Sequence, residues 1–177
     1  GTKFENCHSD VDITINNGVT LTINGNGNTI SRSTNNTMFK VSAGGKLIIN
    51  NATIDGSNRP KATGPAIHLN DNANRTSHLT LNNTTIQNCT RTDTGTDKHG
   101  GAIKLGTDST NNLRVEVNIS NSKITNCSAS QGAAIMMHTN LAGNITISNT
   151  EISNNSANYS YAGVIRTQGG ANCKLTI

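Results

Sequence analysis

The sequence predicts an all-β solenoid, a parallel β-helix with three short strands per coil and about six coils in a single domain spanning residues 1–177. Three observations predict it. Short apolar/polar alternations recur throughout, as strands with one buried face require. Pairs of them are joined at an Asn corner with constant spacing: Leu47 to Ile54, Leu79 to Ile86, Val117 to Ile124 and Ile145 to Ile152 are each seven positions apart. A third run precedes each pair, and the whole figure repeats about every 30 residues, which is the signature of stacked coils.

Taken in order, Phe4-Glu5-Asn6-Cys7 has the form of Ile124-Thr125-Asn126-Cys127, so the chain opens on the third strand of a coil. Asp12-Ile13-Thr14-Ile15 starts a first strand, Asn16-Asn17-Gly18 turns it, and Val19–Ile23 is the second. The corner Asn24-Gly25-Asn26-Gly27 is two residues longer than later ones and leads to Thr29-Ile30. Later first strands put Phe39 and Val41, Ile67 and Leu69, Ile103 and Leu105, and Ile135 and Met137 inside. Second strands put in Leu21 and Ile23, Leu47 and Ile49, Leu79 and Leu81, Val117 and Ile119, and Ile145 and Ile147. Third strands contribute the isoleucines at 30, 54, 86, 124 and 152. The last run, Lys174–Ile177, is a second strand, so both ends are expected to fall mid-coil, in a piece of a longer solenoid or under a covering partner.

Composition agrees with a narrow tube rather than a globular core. Only 2% of residues are aromatic and 14% charged, while 54 of 177 are Asn or Thr. Disorder is opposed by the strict alternation at repeating offsets. Net charge is +4 with scattered Lys and Arg and almost no aromatic side chains for base stacking, which excludes nucleic acid as a partner. No apolar run approaches the roughly 20 residues of a membrane span.

Asn51, Asn83, Asn121 and Asn149 fall in the corner between second and third strands, and Asn88, Asn126 and Asn154 in the corner after the third. Asn tolerates left-handed backbone and its amide can bond the next Asn in a stack, so two buried amide ladders are expected. Several of these Asn lie in N-x-S/T sequons, the competing role for them. Cys89 and Cys127 occupy equivalent places in adjacent repeats, with Cα atoms expected about 4.8 Å apart. That separation permits either a disulfide or stacked free thiols. Cys7 is two coils away and Cys173 stands alone.

Chemistry on a sugar polymer needs two or three gathered carboxylates, or a cation site with a base. The ten carboxylates here fall singly, except in the loop Thr92–His99, where Asp93, Asp97 and His99 come together in a stretch that otherwise reads as a solvated polar loop. No catalytic residue, metal or cofactor is assigned. The outward column of the first strands is Lys40, His68, Lys104, Met136 and Arg166, with Arg59, Lys61, Arg75, Arg91 and Lys98 in adjoining corners. Lys40, His68, Lys104 and Arg166 are the candidate ligand residues, a ridge for an acidic glycan or anionic surface, against the simpler role of keeping a sheet soluble.

Gly100-Gly101-Ala102-Ile103, with Gly64-Pro65-Ala66-Ile67 and Gln131-Gly132-Ala133-Ala134-Ile135, resembles the GGAI motif of polymorphic outer-membrane proteins and related surface adhesins. The Asn-cornered strands resemble pectin-lyase-like β-helices. The companion motif here is I-x-N-C, where that family has FxxN. The resemblance implies a right-handed coil in an extracellular or cell-surface stalk or passenger region.

The expected function is therefore a non-enzymatic, adhesin-type surface solenoid meeting a host or cell-surface glycan or protein. One alternative is a glycan-binding or glycan-cleaving module. The other is a filament subunit stacking end to end.

Overall fold

The computed structural model describes residues 8–9, 13–59, 62–69, 75–91, 99–107, 113–159, 163–168 and 172–177. Among these, every regular element is a strand, and all strand pairs are parallel. Cys7, Lys61, Asp93, Asp97 and Lys98 lie outside the described residues.

Three six-stranded sheets wrap one core. The first contains β2 (Ile13–Ile15), β5 (Phe39–Val41), β8 (Ile67–Leu69), β11 (Ile103–Leu105), β15 (Ile135–Met137) and β19 (Ile165–Thr167). The second contains β3 (Thr20–Asn24), β6 (Lys46–Asn50), β9 (Thr76–Asn82), β12 (Leu113–Ser120), β16 (Leu141–Ser148) and β20 (Asn172–Thr176). The third contains β1 (His8–Ser9), β4 (Thr29–Arg32), β7 (Thr53–Asp55), β10 (Thr85–Gln87), β13 (Lys123–Thr125) and β17 (Glu151–Ser153). Five complete coils run from β2 to β17, preceded by β1 and followed by β19 and β20. This is a parallel β-solenoid with three strands per coil.

Register follows the apolar pattern. Ile103 faces Ile67 on one side and Ile135 on the other, Ile86 lies between Ile54 and Ile124, and Val117 between Leu79 and Ile145. A slip of one residue would turn each strand's apolar set outward, so burial fixes the pairing. The stacked side chains in the central coils are fully buried, whereas Leu21, Ile23 and Ile152 are only partly covered. The second sheet is longer than its apolar pattern suggested: β9, β12 and β16 run for seven or eight residues because Ser77, Val115 and Gly143 extend their ladders upstream. A short fourth sheet, β14 (Ser128–Ala129) with β18 (Ser156–Ala157), follows the second Asn corner.

The corner asparagines have the left-handed backbone expected of them: φ is 49° at Asn51 and Asn83, 50° at Asn121, 45° at Asn149, 56° at Asn88, and 54° at Asn126 and Asn154. Their side chains correct the expectation of buried ladders. Asn51, Asn83, Asn121, Asn149, Asn126 and Asn154 are exposed, and Asn88 is half-buried. A left-handed residue reverses which neighbour points inward, so the residue after each Asn enters the tube. The exposed amides still form rungs: Asn83 Nδ2 donates to Asn51 Oδ1 at 3.1 Å and Asn149 Nδ2 to Asn121 Oδ1 at 2.7 Å. Asn121 instead reaches Asn82 Oδ1 at 3.4 Å, and Asn88 reaches Asp55 Oδ2 at 3.2 Å.

Inside the first corner, Ala52, Thr84, Ser122 and Thr150 stack, and three of them form a hydroxyl ladder. Thr84 N–H donates to Ser122 Oγ at 3.1 Å, and Ser122 N–H to Thr150 Oγ1 at 3.4 Å. Each hydroxyl then donates to the carbonyl two residues back, at Asn82 (3.0 Å), Ser120 (2.6 Å) and Ser148 (2.8 Å). The corner amide of one coil is thus satisfied by the side chain of the next. Ser122→Ala leaves Thr84 N–H buried without its acceptor, an expected loss of about 1–3 kcal/mol in urea unfolding. Ser122→Thr is expected to retain most of the stability, because Thr150 already occupies an equivalent place.

Candidate functional site

The outer face of the first sheet carries the chemistry-bearing column. Thr14, Lys40, His68, Lys104, Met136 and Arg166 are successive Cα partners, one per coil, spaced by about 4.8 Å. They alternate with inward Ile and Leu, so the strands hold them facing away from the core.

The column is not a continuous open ridge. Lys40, His68 and Arg166 are partly exposed, but Lys104 is 3% exposed and Met136 is 0% exposed. Lys104 is thereby corrected from a surface ligand residue to a buried one. The turns ahead of β11 and β15 cover it. Gly100 and Gly132 have φ of +77° and +59°, and a Cβ on them would come within 2.9 Å of Lys104 Cβ and 2.7 Å of Met136 Cβ. Only glycine folds the chain this tightly over the outward column. Gly101 then lies against three carbonyl oxygens of neighbouring segments, which explains the paired glycines of the Gly100-Gly101-Ala102-Ile103 motif.

Further cover comes from polar side chains. His99 precedes β11 and pairs in parallel register with Gln131, while His138 follows β15. Their exposures are 6%, 8% and 0%. The imidazole rings of His99 and His138 have centres 5.2 Å apart and are tilted by 40°. Arg91 Nη1 donates to His99 O at 2.6 Å, and His68 Nε2 lies 3.1 Å from Gly106 O. Of this cluster, alternation alone located His68, Lys104 and Arg166. His138 and Gln131 carried no periodic signal, since both lie outside a strand's alternation.

A second stack occupies the corner after the third strands. Cys89 and Cys127 are buried free thiols in adjacent coils, next to the parallel bridge Thr90–Ser128. Cys89 Sγ donates to Gln87 O at 3.2 Å and Cys127 Sγ to Thr125 O at 3.3 Å, the same look-back bond as in the hydroxyl ladder. The two thiols adjoin each other. That contact and burial push Cys89 well above the usual thiol range, whereas the Cys89 thiol and amide hold Cys127 below it. The buried guanidinium of Arg32, at the end of β4, favours both thiolates.

Incubation with glutathione disulfide is expected to close the pair slowly. Two S–H bonds are lost, one S–S bond forms, and two electrons and two protons pass to the reagent as two glutathione thiols. An intact mass lighter by two hydrogens checks it. The rate should rise with pH, because the thiolate is the attacking species.

The three carboxylates among the described side chains are engaged in local structure. Asp55 accepts from Ser57 N–H at 2.6 Å and Gln87 Nε2 at 2.8 Å. Glu116 accepts from Asn144 Nδ2 at 2.9 Å, and Glu151 sits 3.0 Å from Lys123 Nζ. They stand on the third, second and third sheets, and Asp55 and Glu151 are three coils apart. No helix among the described residues is long and apolar enough to cross a membrane.

Comparison with protein-family models, with curated proteins and with solved structures finds no match.

Proposed function

We propose that this chain is a non-enzymatic, extracellular or cell-surface β-solenoid, a stalk or adhesive region of the adhesin type that its GGAI-like and pectin-lyase-like motifs resemble. The observation that supports it is the unbroken register. The same three strands repeat through five coils, with the inward positions filled by one another's apolar side chains. A stack of this kind lengthens by adding coils and transmits load through parallel hydrogen-bond ladders. The exposed Asn, Thr and Ser of its outer faces suit an aqueous exterior.

Protease shaving of intact source cells, followed by mass spectrometry, tests the placement. Peptides of this chain are expected in the released fraction, and their recovery only after lysis overturns it. Incubation with uronate-containing polymers tests the absence of catalysis. No new reducing or unsaturated ends are expected, and cleavage by the purified chain overturns the non-enzymatic reading.

A second reading, glycan binding on the first sheet, rests on the partly exposed Lys40 and Arg166. They are four coil steps apart, about 19 Å at the parallel-strand spacing, so only an extended anionic polymer spans them. Binding on an acidic-glycan array that is lost in Lys40→Glu supports this reading, and binding unchanged in that variant removes it.

A further inference from the structure

Two imidazoles from successive coils meet beneath the cover of the first sheet. His99 stands in the segment entering β11 and His138 directly after β15. Neither belongs to the alternating pattern that fills the tube, and both are buried. Their ring centres, 5.2 Å apart and tilted by 40°, fit an aromatic edge contact, which spans about 4.5–7 Å. They also fit a shared ion. With metal–nitrogen bonds of about 2.0–2.1 Å, two imidazoles on one tetrahedral centre have ring centres roughly 5 Å apart.

A second observation separates these readings. Gln131, the Cα partner of His99 on the next coil, has a buried Oε1 with no hydrogen-bond partner. A buried acceptor left without a donor is costly, and a coordinated cation satisfies it.

We propose that His99 and His138 bind one divalent transition ion, with Gln131 Oε1 as an oxygen ligand. The donors select the metal. Imidazole nitrogen suits Zn²⁺, Ni²⁺ or Cu²⁺, whereas Ca²⁺ and Mg²⁺ take oxygen ligands, chiefly carboxylates. The ion ties the entry to β11 to the exit from β15 and braces the covering turns across two coils. It is a structural site, independent of the surface function proposed above.

The test uses the full 177-residue chain, freed of any affinity tag and treated with chelator. Calorimetric titration with Zn²⁺ is expected to give one site, and Zn²⁺ at a hundredfold excess over Kd to raise Tm by roughly 5–10 °C. His99→Ala and His138→Ala are each expected to weaken binding tenfold or more. His78→Ala, on the outer face of the second sheet, is expected to leave it unchanged. Co²⁺ added to the unsubstituted chain is expected to give the visible absorption of a tetrahedral centre at one equivalent, which needs no variant to fold. Absence of that band, binding retained in both histidine variants, or equal loss in His78→Ala overturns the proposal.

Discussion

Ile103→Ala is expected to cost about 2–5 kcal/mol in urea unfolding, the range for emptying a well-packed core position. Ile103 is fully buried, with Ile67 and Ile135 as its direct partners in the coils on either side. The cavity cannot close easily. The backbone at Ile103 is held by parallel ladders on both edges, and Ala102, also fully buried, is too small to move in. Loss of a central coil's packing also uncouples the coils on either side, since each coil contacts only its neighbours. Ile13→Ala, in the same column but 36% exposed, supplies the comparison. Its cost is expected to be well under half that of Ile103→Ala. Equal costs at the two positions would show that the stack is not the source of stability.

Gly101→Val is expected to destabilise by about 3 kcal/mol or more, at the upper end of overpacking effects. A Cβ there would stand 2.6 Å from Ala133 O and 3.0 Å from the carbonyls of Cys89 and Ser128. All three are backbone atoms, so no side chain can swing aside. Gly101 has no left-handed φ, and the effect is therefore steric. Gly18 is the opposite case, with φ of +74° and nothing within 4 Å of a Cβ. Gly18→Ala pays only for left-handed backbone, about 1–2 kcal/mol. Urea midpoints of Gly101→Ala and Gly18→Ala, beside the valine variant, separate crowding from backbone strain.

These contrasts show why some features were legible in the sequence. Inward residues such as Leu79 and Leu81 announce themselves because a half-buried strand has a period of two, and their stacking follows from the repeat. Left-handed corners were legible at Asn51 and Asn88 because few residues accept that backbone. The direction of the corner amide was not legible. It depends on which of two consecutive residues the turn sends inward, and the answer, Ala52 and Cys89, is a property of the closed coil.

The candidate site divides the same way. Alternation placed Lys104 on the outer face but said nothing of its 3% exposure, since the cover is built by Gly100, Gly132 and their neighbours. His138 and Gln131 had no local signal at all. They become a site only when coils stack and bring residue 138 to residue 99.

By itself, the sequence determined a three-strand parallel solenoid, its register and its corner residues. Those follow from local backbone preference and from which side chains avoid water, both written in short windows. Only the tertiary structure decided which outward residues meet solvent, which polar groups satisfy one another across coils, and where two histidines converge. Such facts arise between segments about 30–40 residues apart in the chain, where contact is set by the geometry of stacking rather than by neighbours in sequence.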